Sequence, residues 1–402
     1  MRARQYTTAV LFMTVTLAAT IAAANWWIDP FAIWHPERGS QPVDRGHGRM
    51  TKIHWIASAD ADLLVLGNSH ANGGFSAASF KRLGLAKRPF NGSYPGAQIY
   101  SMRRSFQHYA QVSKLKTAVV VLDILNFFDE RTAVGGFEED RLAVTADGDR
   151  NRLWWLGDAV RTTLTWSAIG SSFEAVSAPP RRNNPKNGFR PCTPAAVPHE
   201  AKSVIAMLPA RYKRFRDNTF LDETGESDWQ AEVARLFETA RKHHIKLYVV
   251  IPPAHVAYYI ALEETGYWEE YLTLVRKLSE LASEAGGDIE VFDFTGFTKI
   301  QTEDLLSAPT STYWADTDHF QCHTGDIIVA RLAGKLEKFP GFGRRVVPEQ
   351  AEAHTARIET EKAAWIAVNP EAYCAYRARL SRAAPSVGCP DAVRSGKDAT
   401  GS

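Results

Sequence analysis

The sequence predicts an α/β protein: a three-layer α/β/α domain around a mostly parallel sheet, with a transmembrane helix before it and a helical extension after it. Three observations carry that reading. Apolar runs such as Asp62–Leu66, Thr117–Leu122 and Ile245–Ile251 are continuous rather than alternating, as in strands buried on both faces. Segments of helical period separate them, so strands and helices alternate along the chain. Finally, no charged residue occurs from Tyr6 to Ile28.

The amino-terminal segment comes first. Met1-Arg2-Ala3-Arg4-Gln5 is short and basic, and the stretch to Ile28 exceeds the roughly 20 apolar residues that cross a bilayer as a helix. The two arginines would stay in the cytoplasm, and Trp26-Trp27 would lie at the far interface as an aromatic belt. A cleaved signal peptide, cut at the small residues Ala22-Ala23-Ala24, is the rival. An uncleaved anchor is preferred because signal-peptide cores are usually shorter. Either way, residues 30–402 are exported.

The domain then spans 29–345. After the first strand, Phe75–Phe80 reads as a short helix ending near Gly84, and Lys87–Asn91 as a second strand. Gly92-Ser93-Tyr94-Pro95-Gly96 is a turn, followed by a helix from about Ala97 to Val112 and a third strand, Thr117–Leu122. Ser227-Asp228-Trp229-Gln230 is a capping box opening a helix with Val233, Leu236, Phe237 and Ala240 on one face. Strand Ile245–Ile251, a helix from Trp268 to Ala285, and strand Ile289–Phe294 complete the pattern. Residues 129–226 form an insertion whose middle, Pro179 to Pro191, is basic and rich in turn formers; it reads as a surface loop, a lid, or a contact for an anionic polymer. Residues 346–382 read as one or two helices, and the tail to residue 402 ends in a disordered stretch.

Composition narrows the function classes. A chain of 402 residues, 45% hydrophobic and 23% charged, has ample material for a large core. A net charge of +2 and the lack of a binding motif argue against nucleic acid. The four cysteines form no CxxC pair, so a thiolate zinc site is disfavoured, and export permits disulfides. Cys374 with Cys389, and Cys192 with Cys322, are the candidate pairs; buried thiols are the alternative.

Each parallel strand ends in a polar or glycine turn, and open α/β sheets place their chemistry at that edge. Ser69 follows the first strand in Gly67-Asn68-Ser69-His70-Ala71. A serine hydroxyl is a poor nucleophile until a histidine takes its proton, and that histidine needs a carboxylate to hold its tautomer. Asp316-Thr317-Asp318-His319 offers both, with Asp316 folding back to His319 and Asp318 expected in solvent. His255, at another strand end, is a candidate cleft residue, and His70 a candidate neighbour of the nucleophile. Asp316, Asp318, His319, Cys322 and His323 are an alternative metal cluster by residue type; neither a metal nor a cofactor is expected.

Leu64-Val65-Leu66-Gly67-Asn68-Ser69-His70 near the start of the domain, with Asp316-x-x-His319 near its end, resembles the SGNH (GDSL-type) hydrolases. It is most similar to their membrane-anchored, exported branch, which includes alginate O-acetyltransferases and the D-alanyl transfer protein of teichoic acid modification. The resemblance spans roughly residues 26 to 345, with firm motifs in two short blocks. The family's Asp before the serine is Asn68 here, and no GxND block occurs. The resemblance implies Ser69, Asp316 and His319 as catalytic residues, Gly96 as the glycine block, and Asn126 as the oxyanion asparagine. It further implies an SGNH-like O-acetyltransferase or esterase, held in a bacterial inner membrane with its main domain periplasmic. Its substrate would be a cell-envelope glycan or acyl ester, with a membrane O-acyltransferase as partner. A catalytically silent envelope assembly or glycan-binding protein is the alternative.

Overall fold

The computed structural model describes residues 2–35, 48–127, 137–177, 187–192, 199–217, 229–380 and Cys389. The residues Ser227-Asp228 of the capping box, the Pro179–Lys186 part of the basic loop and the tail beyond Cys389 lie outside them. The strands are β1 (Leu63–Leu66), β2 (Pro89–Asn91), β3 (Thr117–Val121), β4 (His199–Glu200), β5 (Lys246–Ile251), β6 (Ile289–Asp293), β7 (Thr310–Ser311) and β8 (Arg344–Val346). Six of them form one sheet in the order β2-β1-β3-β5-β6-β8, and β4 pairs with β7 apart from it. All pairs in the main sheet are parallel except β6 with β8 at the edge. Leu64 stands between Phe90 and Ala118, and all four residues of β1 are fully buried. This is the setting that a continuous apolar run requires.

Helix α1 (Arg2–Ile28) is long and apolar enough to span a membrane, and most of it stands exposed. Helix α2 (Gly48–Ala59) leads into the sheet. Between β1 and β2 lie α3 (Ser69–Gly74) and α4 (Ala77–Arg82); α5 (Ile99–Val112) returns the chain to β3. The 129–226 insertion carries α6 (Leu156–Thr163), α7 (Trp166–Ser177), α8 (Ala201–Ala206) and α9 (Leu208–Asp217). Then come α10 (Trp229–Lys242), α11 (Val256–Glu264), α12 (Trp268–Ala285), α13 (Cys322–Leu332), α14 (Pro348–Val368) and α15 (Pro370–Leu380). Both predicted cysteine pairs are disulfides.

The strand order fixes where a crevice opens. From β1 the chain steps outward to β2, then crosses back over β1 to β3 and continues to β5 and β6. Right-handed crossovers put helices of opposite travel on opposite faces of a sheet. Accordingly α5, α10 and α12 pack in a row, while α13 packs with α3 and α4. The carboxyl ends of β1 and β3 flank the point of reversal, where α/β sheets bind ligands. Ser69 and Asp123 follow those two strands.

Helix α12 runs over the residues its period predicts, and Val233, Leu236, Phe237 and Ala240 of α10 are all buried. The sequence reading left α2, α11, the insertion helices and β8 unassigned. In α11 the reason is physical: Val256 to Leu262 are buried on every side, so no amphipathic period marks the helix.

Close packing of α13 on α3 depends on Gly325. A methyl group there would collide with the Gly74 carbonyl oxygen, and one on Gly74 would collide with the Phe320 ring. Gly325→Ala is therefore expected to lower stability by about 1–3 kcal/mol, as overpacking does. The urea midpoint of the detergent-solubilised protein measures it; an unchanged midpoint would show that the α3–α13 contact is slack.

Candidate active site

A narrow loop between β7 and α13 presents the predicted base. Ala315 N donates to His319 O at 2.7 Å and Gln321 N to Tyr313 O at 2.8 Å, closing the loop's two arms. Fully buried Trp314 anchors it, its Nε1 donating to Ile300 O at 2.9 Å. At the tip, Asp316 Oδ1 accepts from the backbone N–H of His319 at 2.8 Å and of Asp318 at 3.1 Å. That carboxylate is thus fixed before it meets the imidazole.

His319 Nδ1 lies 2.9 Å from Asp316 Oδ1, and its Nε2 lies 2.7 Å from Ser69 Oγ. The structure therefore brings together the three residues singled out as nucleophile, base and orienting carboxylate, from positions 250 residues apart. With Nδ1–H donating to Asp316, Nε2 is free to accept the Ser69 proton, as general-base activation requires. Ser69 is the first residue of α3, so its own N–H lacks an intrahelical acceptor.

Asp318 and His70 correct the sequence reading. Asp318, expected in solvent, is 1% exposed. Its Oδ2 lies 2.9 Å from His70 Nε2, and its Oδ1 accepts from Arg211 Nε at 2.5 Å. On its other side His70 Nδ1 forms an ion pair with Asp123 Oδ2. Burial by itself would lower the His70 pKa, but the carboxylates of Asp123 and Asp318 outweigh it and raise the value to about 10. Against the desolvation that would raise them, His70 holds Asp123 below the usual aspartate range, and His319 first, then His70 and Arg211, do so for Asp318. Arg211, on α9 of the insertion, also donates to Asp316 Oδ2 at 3.2 Å. The result is a row of alternating charge behind the Ser–His pair.

Asn68 has a structural reason within this row. Its Oδ1 caps α3 by accepting from His70 N at 2.9 Å, while its Nδ2 donates to Asp123 Oδ2 at 2.9 Å. A carboxylate at position 68 would set two buried acids against each other.

Asn126 and His255 are directed elsewhere than predicted. Fully buried Asn126 donates through Nδ2 to Ala97 O at 2.7 Å and accepts the Asp123 N–H at 2.8 Å, so its amide holds the turn beside Gly96. Gly96 itself adopts φ +69° next to Pro95, which lines the cleft. His255 caps α11, accepting from Ala257 N at 3.1 Å, and its Nε2 lies 2.7 Å from Glu303 O. Burial pushes its pKa down to about 4, which keeps it neutral. Its backbone N–H, however, holds Thr317 O at 2.9 Å and so steadies the His319 loop.

The cleft encloses about 660 Å³, with Ser69, Asn72, Arg190, His199, His319 and His323 in its walls. Sequence reasoning missed Asn72. Lying three residues after Ser69 in α3, it shares that residue's helix face. Its Oδ1 takes a 2.9 Å hydrogen bond from buried Lys52, which leaves the Nδ2 hydrogens for a ligand. Arg190 and His199 come from the insertion, and the Cys192–Cys322 disulfide fastens that wall to the start of α13.

Cys322 is consumed by that disulfide, which removes it from the metal cluster considered above. His70, Asp318 and His319 offer ligand atoms within 4.8 Å of one another. The Arg211 guanidinium already supplies a positive charge to Asp318 and Asp316, and both nitrogens of His70 face carboxylates. That donor set fits an ion-pair network better than a metal. The chain matches no protein-family model and no curated protein.

The His70 pair has a pH signature. Histidine protonates near 6.5 when unperturbed and here at about 10. Its share of stability is therefore complete below pH 6.5 and fades as pH rises toward 10. Asp123 and Asp318, held below 3.8, lose theirs as pH falls under that value. His70→Gln, which leaves two buried carboxylates short of a cation, is expected to cost about 3–5 kcal/mol near pH 6. Urea unfolding of both proteins should show that difference shrinking toward pH 10; a difference that is flat with pH would mean that His70 is uncharged.

Proposed function

We propose that this chain is an exported, membrane-anchored serine enzyme resembling the SGNH hydrolases, which forms an acyl-serine at Ser69. The observation that carries the reading is the 2.7 Å approach of Ser69 Oγ to His319 Nε2, with Asp316 behind the imidazole. In the first half-reaction Ser69 Oγ attacks an ester carbonyl carbon and its proton passes to His319 Nε2. The oxyanion so formed meets the Ser69 N–H and the Asn72 amide, and donors of this kind commonly contribute several kcal/mol to lowering such a barrier. The carbon–oxygen bond to the leaving alcohol then breaks, and the alcohol takes the proton from His319. In the second half, a hydroxyl or water gives its proton to His319 and attacks the acyl carbonyl carbon; the bond from that carbon to Ser69 Oγ then breaks, and Ser69 takes the proton back from His319.

The substrate class follows from the resemblance: O-acetyl transfer to, or ester removal from, a cell-envelope glycan. A membrane O-acyltransferase would be the acyl donor's source. Helix α1 would hold the protein in a bacterial inner membrane with the domain on the periplasmic side, its arginines left in the cytoplasm. One contact favours a second reading, a silent glycan-binding protein. Arg211 Nη2 lies 3.1 Å from His319 Nδ1 and 3.2 Å from Asp316, where it competes for the carboxylate that the imidazole needs.

Turnover of an acetyl-ester reporter separates the two. The wild-type protein should hydrolyse it, and Ser69→Ala and His319→Ala should each lower kcat/KM by at least about 1000-fold. Equal rates in all three proteins would end the serine-nucleophile reading and leave the binding role.

A further inference from the structure

Helices α6 and α7 of the insertion carry an apolar surface that the acyl-serine reading does not use. Beyond α1, every exposed large hydrophobic side chain among the described residues lies between Leu153 and Val176, except Met207 and Val368. Trp155, Leu156, Val160 and Leu164 point outward from α6 and its end, and Trp166 and Phe173 from α7 are 87% and 72% exposed. From Leu153 to Phe173 the only charged residues are Asp158 and Arg161. Asp158 is buried against Arg141 at 2.7 Å, while Arg161, its side chain 41% exposed, is neutralised by Glu138 at 2.6 Å. Exposed Arg152 and Glu174 bound the segment.

What covers this surface is indicated by its neighbour. Both helices pack on α1. On that helix Ala18, Ile21, Ala22, Asn25 and Ile28 are the partly or fully covered positions, a stripe at helical spacing. The stripe extends seven residues back from Asn25, or about 10 Å at 1.5 Å per residue. Asn25 locks the junction: its Nδ2 donates to Thr163 O at 2.8 Å, and its Oδ1 accepts from Ser172 Oγ at 2.7 Å. Trp26 and Trp27 are exposed at the same level. The apolar face is thus continuous with the helix that would cross the bilayer, at that helix's domain-side end.

We propose that the α6–α7 hairpin lies in the leaflet on the domain's side, with its outward aromatic and aliphatic side chains among phospholipid acyl chains. It forms a second attachment that keeps the domain from swivelling about a single helix. Interfacial helices bind in this manner, with aromatic and leucine side chains at the headgroup boundary. The proposal rests on the membrane reading of α1 and is independent of the chemistry at Ser69.

The full chain, with all four cysteines in disulfides, accepts a single introduced thiol as its only labelling site. An environment-sensitive fluorophore is placed at Trp166→Cys, Phe173→Cys, Val10→Cys within α1 and Glu337→Cys on the domain surface. Each variant is reconstituted into phosphatidylcholine vesicles carrying acyl-chain nitroxides. The expected result is a blue shift and quenching at 166 and 173 comparable to position 10, with position 337 unquenched. Quenching at 10 but not at 166 or 173 overturns the hairpin's insertion while leaving the anchor. No quenching at 10 overturns both. A blue shift at 166 and 173 without nitroxide quenching, growing with the protein-to-lipid ratio, overturns insertion in favour of a protein contact.

Discussion

A row of alternating charges, buried from Asp123 to Asp318 and partly exposed at Arg211 and Asp316, holds this molecule's cleft together. Asp123 at the end of β3 meets His70 on α3, His70 meets Asp318, Asp318 meets Arg211 of α9, and Arg211 meets Asp316, which carries His319. Every contact up to Asp316 joins segments that the chain keeps far apart; His70 and Asp318 are 248 residues distant. Charges removed from water persist only when paired, so no member of the row can shift without exposing another. His70 follows Ser69 and Asp318 precedes His319, so the His70–Asp318 pair joins the two segments that carry the nucleophile and the base. Asn68 belongs to it as a neutral donor at a point where another carboxylate would repel Asp123.

The insertion is a structural part of the cleft. Arg211 enters the charge row from α9, Arg190 and His199 line one wall, and Cys192 is bonded to Cys322 beside the His319 loop. Among its described residues the insertion is tied to the cleft by the Arg211 ion pairs, the β4–β7 pairing and the Cys192–Cys322 disulfide. Its helices α6 and α7 pack against α1, so one insertion links the cleft to the amino-terminal helix.

Much of this was legible in the sequence. Continuous apolar runs marked the strands, because a sheet covered on both faces leaves no alternation to mask them. Ser69, Asp316 and His319 were readable as a group because strand-end position and a three-residue Asp–His spacing are local features. Asn72 left a signal that was passed over, its spacing from Ser69 on one helix face. Asn126 and His255 were misdirected because their partners, the carbonyls of Ala97 and Glu303, are set by tertiary packing alone. Asp318 was misread for a similar reason: its side chain turns inward, 3.6 Å from His319 Nδ1 and onto His70 and Arg211, partners that tertiary packing alone supplies. Arg211, which completes the row, comes from a helix with no motif at all.

The central claim is that the Ser69 hydroxyl is made nucleophilic by His319. Its most direct measurement is the site of covalent reaction: treat the full-length protein with a fluorophosphonate, digest it and map the adduct by mass spectrometry. The account predicts one phosphonyl group, on Ser69, and none on the His319→Ala protein. A label on another residue, no label, or equal labelling of Ser69 without His319 would contradict it.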